Sequence, residues 1–150
     1  MIVRVLCGAL LLAATAQAGP DRPDSYRALL ARVVHATGVD YAALESERAV
    51  LDRHVRSLAD ASAGADESER IAFWINAYNA LTLQRVLDTV RKQKLERVTD
   101  VEDFWKGRRW KVAGREVTLD GIENGILRKE FREPRIHFAL NCASRSCPPL

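Results

Sequence analysis

Four residues able to carry chemistry crowd the last stretch of the chain, "RIHFALNCASRSCPPL" from Arg135 to Leu150: His137, Asn141, Cys142 and Cys147. A cysteine-dependent hydrolase or transferase needs a thiolate within hydrogen-bond reach of an imidazole and a third group that fixes the ring. Cys142 or Cys147 as nucleophile, His137 as base and Asn141, Asn76 or Asn79 as the orienting amide supply those types. Papain-like enzymes place the cysteine before the histidine and at a helix start, whereas here His137 comes first. A metal site would draw on His137, Cys142 and Cys147, but structural zinc sites want four ligands and no fourth is evident, so no metal and no cofactor is assigned. In the third reading the two cysteines close a small disulfide loop, and His137 with the asparagines forms a satisfied polar network. Such a short loop stabilises by about 2 kcal/mol in the chain-entropy picture. The residues by themselves leave these alternatives open.

Elements elsewhere in the chain must position this constellation. Period-two alternation makes "RIHFALN" a strand, with Ile136, Phe138 and Leu140 facing the core and Arg135, His137, Ala139 and Asn141 on the other face. Its counterpart is a long helix over Glu69 to Gln93, apolar nearly all round from Ile71 to Leu83 and therefore central and buried. Asn76 and Asn79 lie three apart on one face of that helix. A buried amide without a partner costs about 1–3 kcal/mol, so both are expected to meet His137 and Asn141.

Two amphipathic helices come first. One runs through "SYRALLARVVHATG" with Leu29, Leu30, Val33 and Val34 inward, and one through Tyr41 to Ala61 with Leu44, Val50 or Leu51, Val55 and Leu58 inward. His35 and His54 read as ordinary surface or boundary side chains. Asp66 or Ser68 can cap the central helix. Beyond it, Val101 to Trp105 reads as a short helix or turn, and "RRWKVAG" with "REVTL" forms a hairpin turning at Ala113-Gly114. Thr118 or Asp120 caps a helix carrying Ile122, Ile126 and Leu127 inward, with Glu123 and Arg128 as an ion pair at helical spacing. Gly121 and Gly125 weaken that helix by about 1 kcal/mol each, which predicts close packing against them. The fold class is α+β: a mostly helical single domain with a long buried central helix and a small antiparallel sheet holding the hairpin and the final strand.

At 150 residues there is room for one domain, and 47% hydrophobic with 29% charged residues marks a globular chain. The net charge of +3 is spread along the chain with no basic tract, which sets nucleic acid aside. Arg4, the uncharged run "VLCGALLLAATA" and the small residues of "AQA" read as a secretory leader over 1–18, cut before Gly19. The run is shorter than the roughly 20 residues that span a bilayer, so no stable anchor is expected once it is cut. Residues 19–150 would form the exported domain, periplasmic or secreted, with Cys142 and Cys147 its only cysteines and a disulfide favoured between them.

The motifs "FWINAYNALTL", "VTLDGIENGILR" and "EPRIHFALNCASRSCPPL" resemble, in that order, the family catalogued as domain of unknown function 547. The resemblance covers about Ile71 to Leu150 and implies an exported bacterial member of unassigned activity. It also implies further helical sequence beyond "SCPPL", so that the chain looks like a C-terminally truncated copy. The expected site is a polar pocket of Asn76, Asn79, Glu123, Arg128, His137, Asn141 and Cys142 that binds a small molecule or an envelope partner.

Overall fold

A computed structural model describes residues 25–94 and 96–143. Helix α1 (Tyr26–Val33) starts where the Ser25 hydroxyl accepts from the Ala28 amide at 3.2 Å. It buries Leu29 and Val33 and leaves Leu30 and Val34 half-buried against the core. Strands β1 (Val34–His35) and β2 (Gly38–Val39) then make a minimal antiparallel pair, with Gly38 at φ 125 in the left-handed region. The helix expected over Tyr41 to Ala61 is divided. Helix α2 (Tyr41–Ser46), capped by Asp40, stops at Glu47, and α3 (Arg48–Ser57) follows with a 3-10 turn over Leu58–Asp60. Glu47 leaves helical dihedrals (φ −105, ψ 17), and its carboxylate is taken by Arg32 of α1, whose Nε donates at 2.9 Å. Leu44, Leu51, Val55 and Leu58 face inward as the periodicity requires.

The central helix α4 (Glu67–Val86) is capped by the Asp66 carboxylate, which accepts from the Glu69 amide at 2.9 Å, and continues as a π-wound turn over Leu87–Arg91. Trp74, Ala77, Tyr78, Ala80, Leu81, Leu83, Val86 and Leu87 are buried along it, which places this helix at the middle of the core. Among the described residues no helix is long and apolar enough to cross a membrane.

Strands β3 (Trp110–Val112) and β4 (Arg115–Val117) pair antiparallel through a two-residue turn, Ala113 at φ 48 and Gly114 at φ 73. Positive φ at both positions matches the right-handed twist of the flanking strands. The turn docks on the 3-10 segment after α3: the Ala113 amide donates to the Leu58 carbonyl at 2.8 Å and that of Gly114 to Ala59 at 2.9 Å. The Thr118 hydroxyl then accepts from the Gly121 amide at 2.9 Å, and Gly121–Leu127 is wound as a π-helix, with the Arg128 amide donating to the Glu123 carbonyl at 2.9 Å. Ile122, Ile126 and Leu127 are buried.

The final strand is not formed. Pro134–Phe138 is a 3-10 turn, so the two small sheets are separate hairpins and neither holds this segment. Proline fixes φ at the start of the turn, and the Glu133 carboxylate accepts from the Arg135 amide at 2.9 Å, closing the chain into a helical bend. Ile136 and Leu140, four apart, are buried, while Phe138 between them is 77% exposed. The shared strand face of His137 and Asn141 goes with it.

The glycine expectation also needs correcting at one position. A Cβ on Gly121 would stand 3.2 Å from the Thr118 hydroxyl, but one on Gly125 would meet nothing within 4 Å. Gly125→Ala is therefore expected to raise stability by about 0.5–1 kcal/mol. A denaturation midpoint that falls instead would show that this π-wound turn needs glycine.

Candidate functional site

A cleft of about 630 Å3 is walled by α4, the segment 99–106, the start of the π-helix and the segment 137–142. Its floor is Tyr78, fully buried on α4, whose hydroxyl donates to Glu123 Oε2 at a long 3.4 Å. Burial pushes the phenol well above its ordinary pKa, and the neighbouring Glu123 charge adds to this, so the hydroxyl keeps its proton. Glu123 Oε1 accepts from Arg128 Nη2 at 3.1 Å, which fixes the carboxylate from the other side. One turn along α4 from Tyr78, the buried Thr82 hydroxyl has no well-formed hydrogen bond.

The opposite wall is built on a tight turn. Asp103 sits at φ 50, and its carbonyl accepts from the Lys106 and Gly107 amides at 3.1 and 2.7 Å. A Cβ on Gly107 would lie 2.8 Å from that carbonyl, so only glycine fits there without a shift. The Asp120 amide donates to the Trp105 carbonyl at 3.1 Å and ties this wall to the π-helix. Glu102, Asp103, Asp120 and Glu123 line the cleft against the single lysine Lys106, so its field is negative.

The expected site residues separate into three groups. Glu123, His137 and Cys142 line the cleft together, with Arg128 behind Glu123. His137 is exposed, lies edge-on to Phe138 with ring centroids 6.2 Å apart, and has no hydrogen-bond partner among the described residues. Cys142 lines the cleft on the same segment as His137. Cys147, like the expected leader over 1–18, lies outside the described residues.

Asn79 and Asn141 form a clasp. Asn79 Nδ2 donates to the Ala139 carbonyl at 3.0 Å, and Asn79 Oδ1 accepts from the Asn141 amide at 2.9 Å, so one side chain satisfies two backbone groups of the incoming segment. The Asn141 side chain accepts from the Ala143 amide at 2.8 Å. Asn76 joins neither group. It is exposed at a groove beside Tyr26 and Leu30 of α1 that Asn79 also borders, so the expected pair of buried amides reduces to the single clasp of the half-buried Asn79.

Tyr78, Trp105 and Asp120 were not anticipated. The signal for Tyr78 was present: it stands between the asparagines in "NAYNA", and a tyrosine in an apolar helix brings a hydroxyl that needs a partner. Trp105 and Asp120 enter through backbone pairing that no local pattern announces. Among the described residues no three His, Cys, Asp or Glu side chains stand close enough together to hold a metal ion.

A family model described as a protein of unknown function, DUF547, matches residues 62–150. No curated protein and no solved structure matches the chain.

Proposed function

The chain belongs to the DUF547 family of proteins of unknown function, and from that premise we propose that it is an exported protein whose cleft binds a small molecule or an element of an envelope partner. The observation that carries this reading is the convergence of Tyr78, Glu123, His137 and Cys142, from three separate segments, on one cavity of about 630 Å3. Cavities of this size with a few fixed polar groups are the usual form of a ligand site. The leader pattern over 1–18 supports export, and an oxidising compartment supports pairing of Cys142 with Cys147. That clip would hold the segment 137–142 as the fourth wall.

The second reading, a cysteine-dependent hydrolase or transferase, is favoured by His137 and Cys142 lining the same cleft. It requires Cys142 to be a free thiol, with the clip proposed above absent or reduced, before a thiolate can form.

A small-molecule screen on residues 19–150, read by NMR at the Trp105 indole and the His137 ring, tests the binding reading. A ligand of the cleft is expected to shift both signals and to lose affinity about tenfold in Glu123→Gln, where a charge-assisted bond becomes a neutral one. Hits whose shifts avoid both rings, or that bind Glu123→Gln undiminished, would move the site elsewhere. Two reactive thiols in the purified non-reduced chain would promote the enzyme reading.

A further inference from the structure

We propose a second binding site, for a small oxyanion such as a phosphate group, in a groove of about 450 Å3 between α3, α4 and β3. It is separate from the cleft, since Gln84 lies about 120° around α4 from Tyr78.

The groove is held in shape by its own polar network. Trp110, buried on β3, donates its indole N–H to Gln84 Oε1 at 2.9 Å, and Gln84 Nε2 donates to Asp52 Oδ1 at 2.7 Å. Arg48 Nε donates to Asp52 Oδ2 at 3.2 Å, and Arg48 and Arg108 both pair with Asp88. The Arg108 guanidinium lies 4.9 Å from the centre of the Trp110 ring, which closes the circuit by a cation–π contact. Two carboxylates thus face two guanidiniums, and the network is balanced by itself.

Two further cations line the same groove outside that balance. Arg56 has no ion-pair partner among the described residues. Lys111 reaches Asp60 at 3.4 Å, but that carboxylate is 89% exposed, and such a pair contributes little. A concave site with surplus positive charge and donors from Arg56, Arg108 and Lys111 matches a tetrahedral oxyanion, whose oxygens accept several charge-assisted hydrogen bonds at once. The donor set fits a soluble phosphate or a phospholipid headgroup equally.

Titration of the chain with inorganic phosphate against chloride at equal ionic strength, followed at the Trp110 indole N–H and the Arg56 side chain, tests the site. A saturable shift is expected, weakened about tenfold by Arg56→Gln and again by Lys111→Gln. Lys106→Gln, in the other cleft, should leave it unchanged. Neither Arg56 nor Lys111 belongs to the interior network, so both variants should keep the Trp110 to Gln84 hydrogen bond, visible as an unshifted indole signal before titration. Sedimentation with phosphatidylglycerol vesicles separates the sources: capture reversed by phosphate assigns the groove to headgroups, and phosphate saturation without capture assigns it to soluble esters. Absence of a saturable shift, or undiminished affinity in the double variant, would overturn the site.

Discussion

Replacing Asp88 by asparagine is expected to lower stability by about 2 kcal/mol, because it leaves Arg48 and Arg108 converging on a neutral amide. The Asp88 side chain is 20% exposed and the two arginines about a third, so water recovers part of the loss. For a chain of this size such a loss corresponds to a fall of roughly 4–8 °C in Tm. Burial works against the Asp88 carboxylate, but hydrogen bonds from Arg48 and Arg108 outweigh it and hold its pKa below the ordinary 3.8. A carboxylate depressed in the fold gives its full stabilisation above the unfolded value and loses it as pH falls through the folded one. The wild-type advantage over Asp88→Asn should therefore be constant near neutrality and shrink below about pH 4. Thermal melts of the two proteins across that range make the comparison. Melting curves that coincide at neutral pH would show that the two arginines do not depend on this carboxylate.

Asn79→Leu is expected to cost about 1–2 kcal/mol, since it removes two hydrogen bonds and leaves the Ala139 carbonyl and the Asn141 amide unpaired. The effect should be local in origin. The segment 137–142 would come away from α4, taking His137 and Cys142 out of the cleft while the hairpin and α1 stay in place. Hydrogen exchange at the Asn141 amide and the imidazole shifts of His137 read this directly. If exchange at Asn141 stays as slow in the variant and His137 does not move, Asn79 is not the clasp. The same outcome would remove a side-chain link between the central helix and that wall.

The contrast between Asn79 and Asn76 shows why sequence reading reached only part of the site. Their spacing of three on one helix is a local fact, and it placed them together correctly in angle. Both border the groove on the α1 side, and which of them finds partners depends on what packs there: the backbone at Ala139 and Asn141 meets Asn79, while Asn76 stays exposed. The last segment shows the same limit. Ile136, Phe138 and Leu140 alternate, but over so few residues a period of two cannot be told from a helical pair four apart with one residue turned out. Pro134 and the Glu133 cap settled it as a turn.

What the sequence by itself determined is the local chemistry. A cap at Asp66 or Ser68 and another at Thr118 or Asp120, a hairpin turn at Ala113-Gly114, and an inward stripe of Leu44, Val50 or Leu51, Val55 and Leu58 are all local, and the structure takes Asp66, Thr118 and Leu51 among them. Each of these depends on residues within a few positions of one another, so neighbouring side chains suffice to specify it. Only the tertiary structure decided that Tyr78 meets Glu123 across 45 residues, that Gln84 meets Trp110 across 26, and that Arg48 meets Asp88 across 40. Those pairings follow from how α3, the hairpin and the π-helix pack on α4. A buried polar group takes the partner that packing brings within reach, and no spacing along the chain encodes that distance.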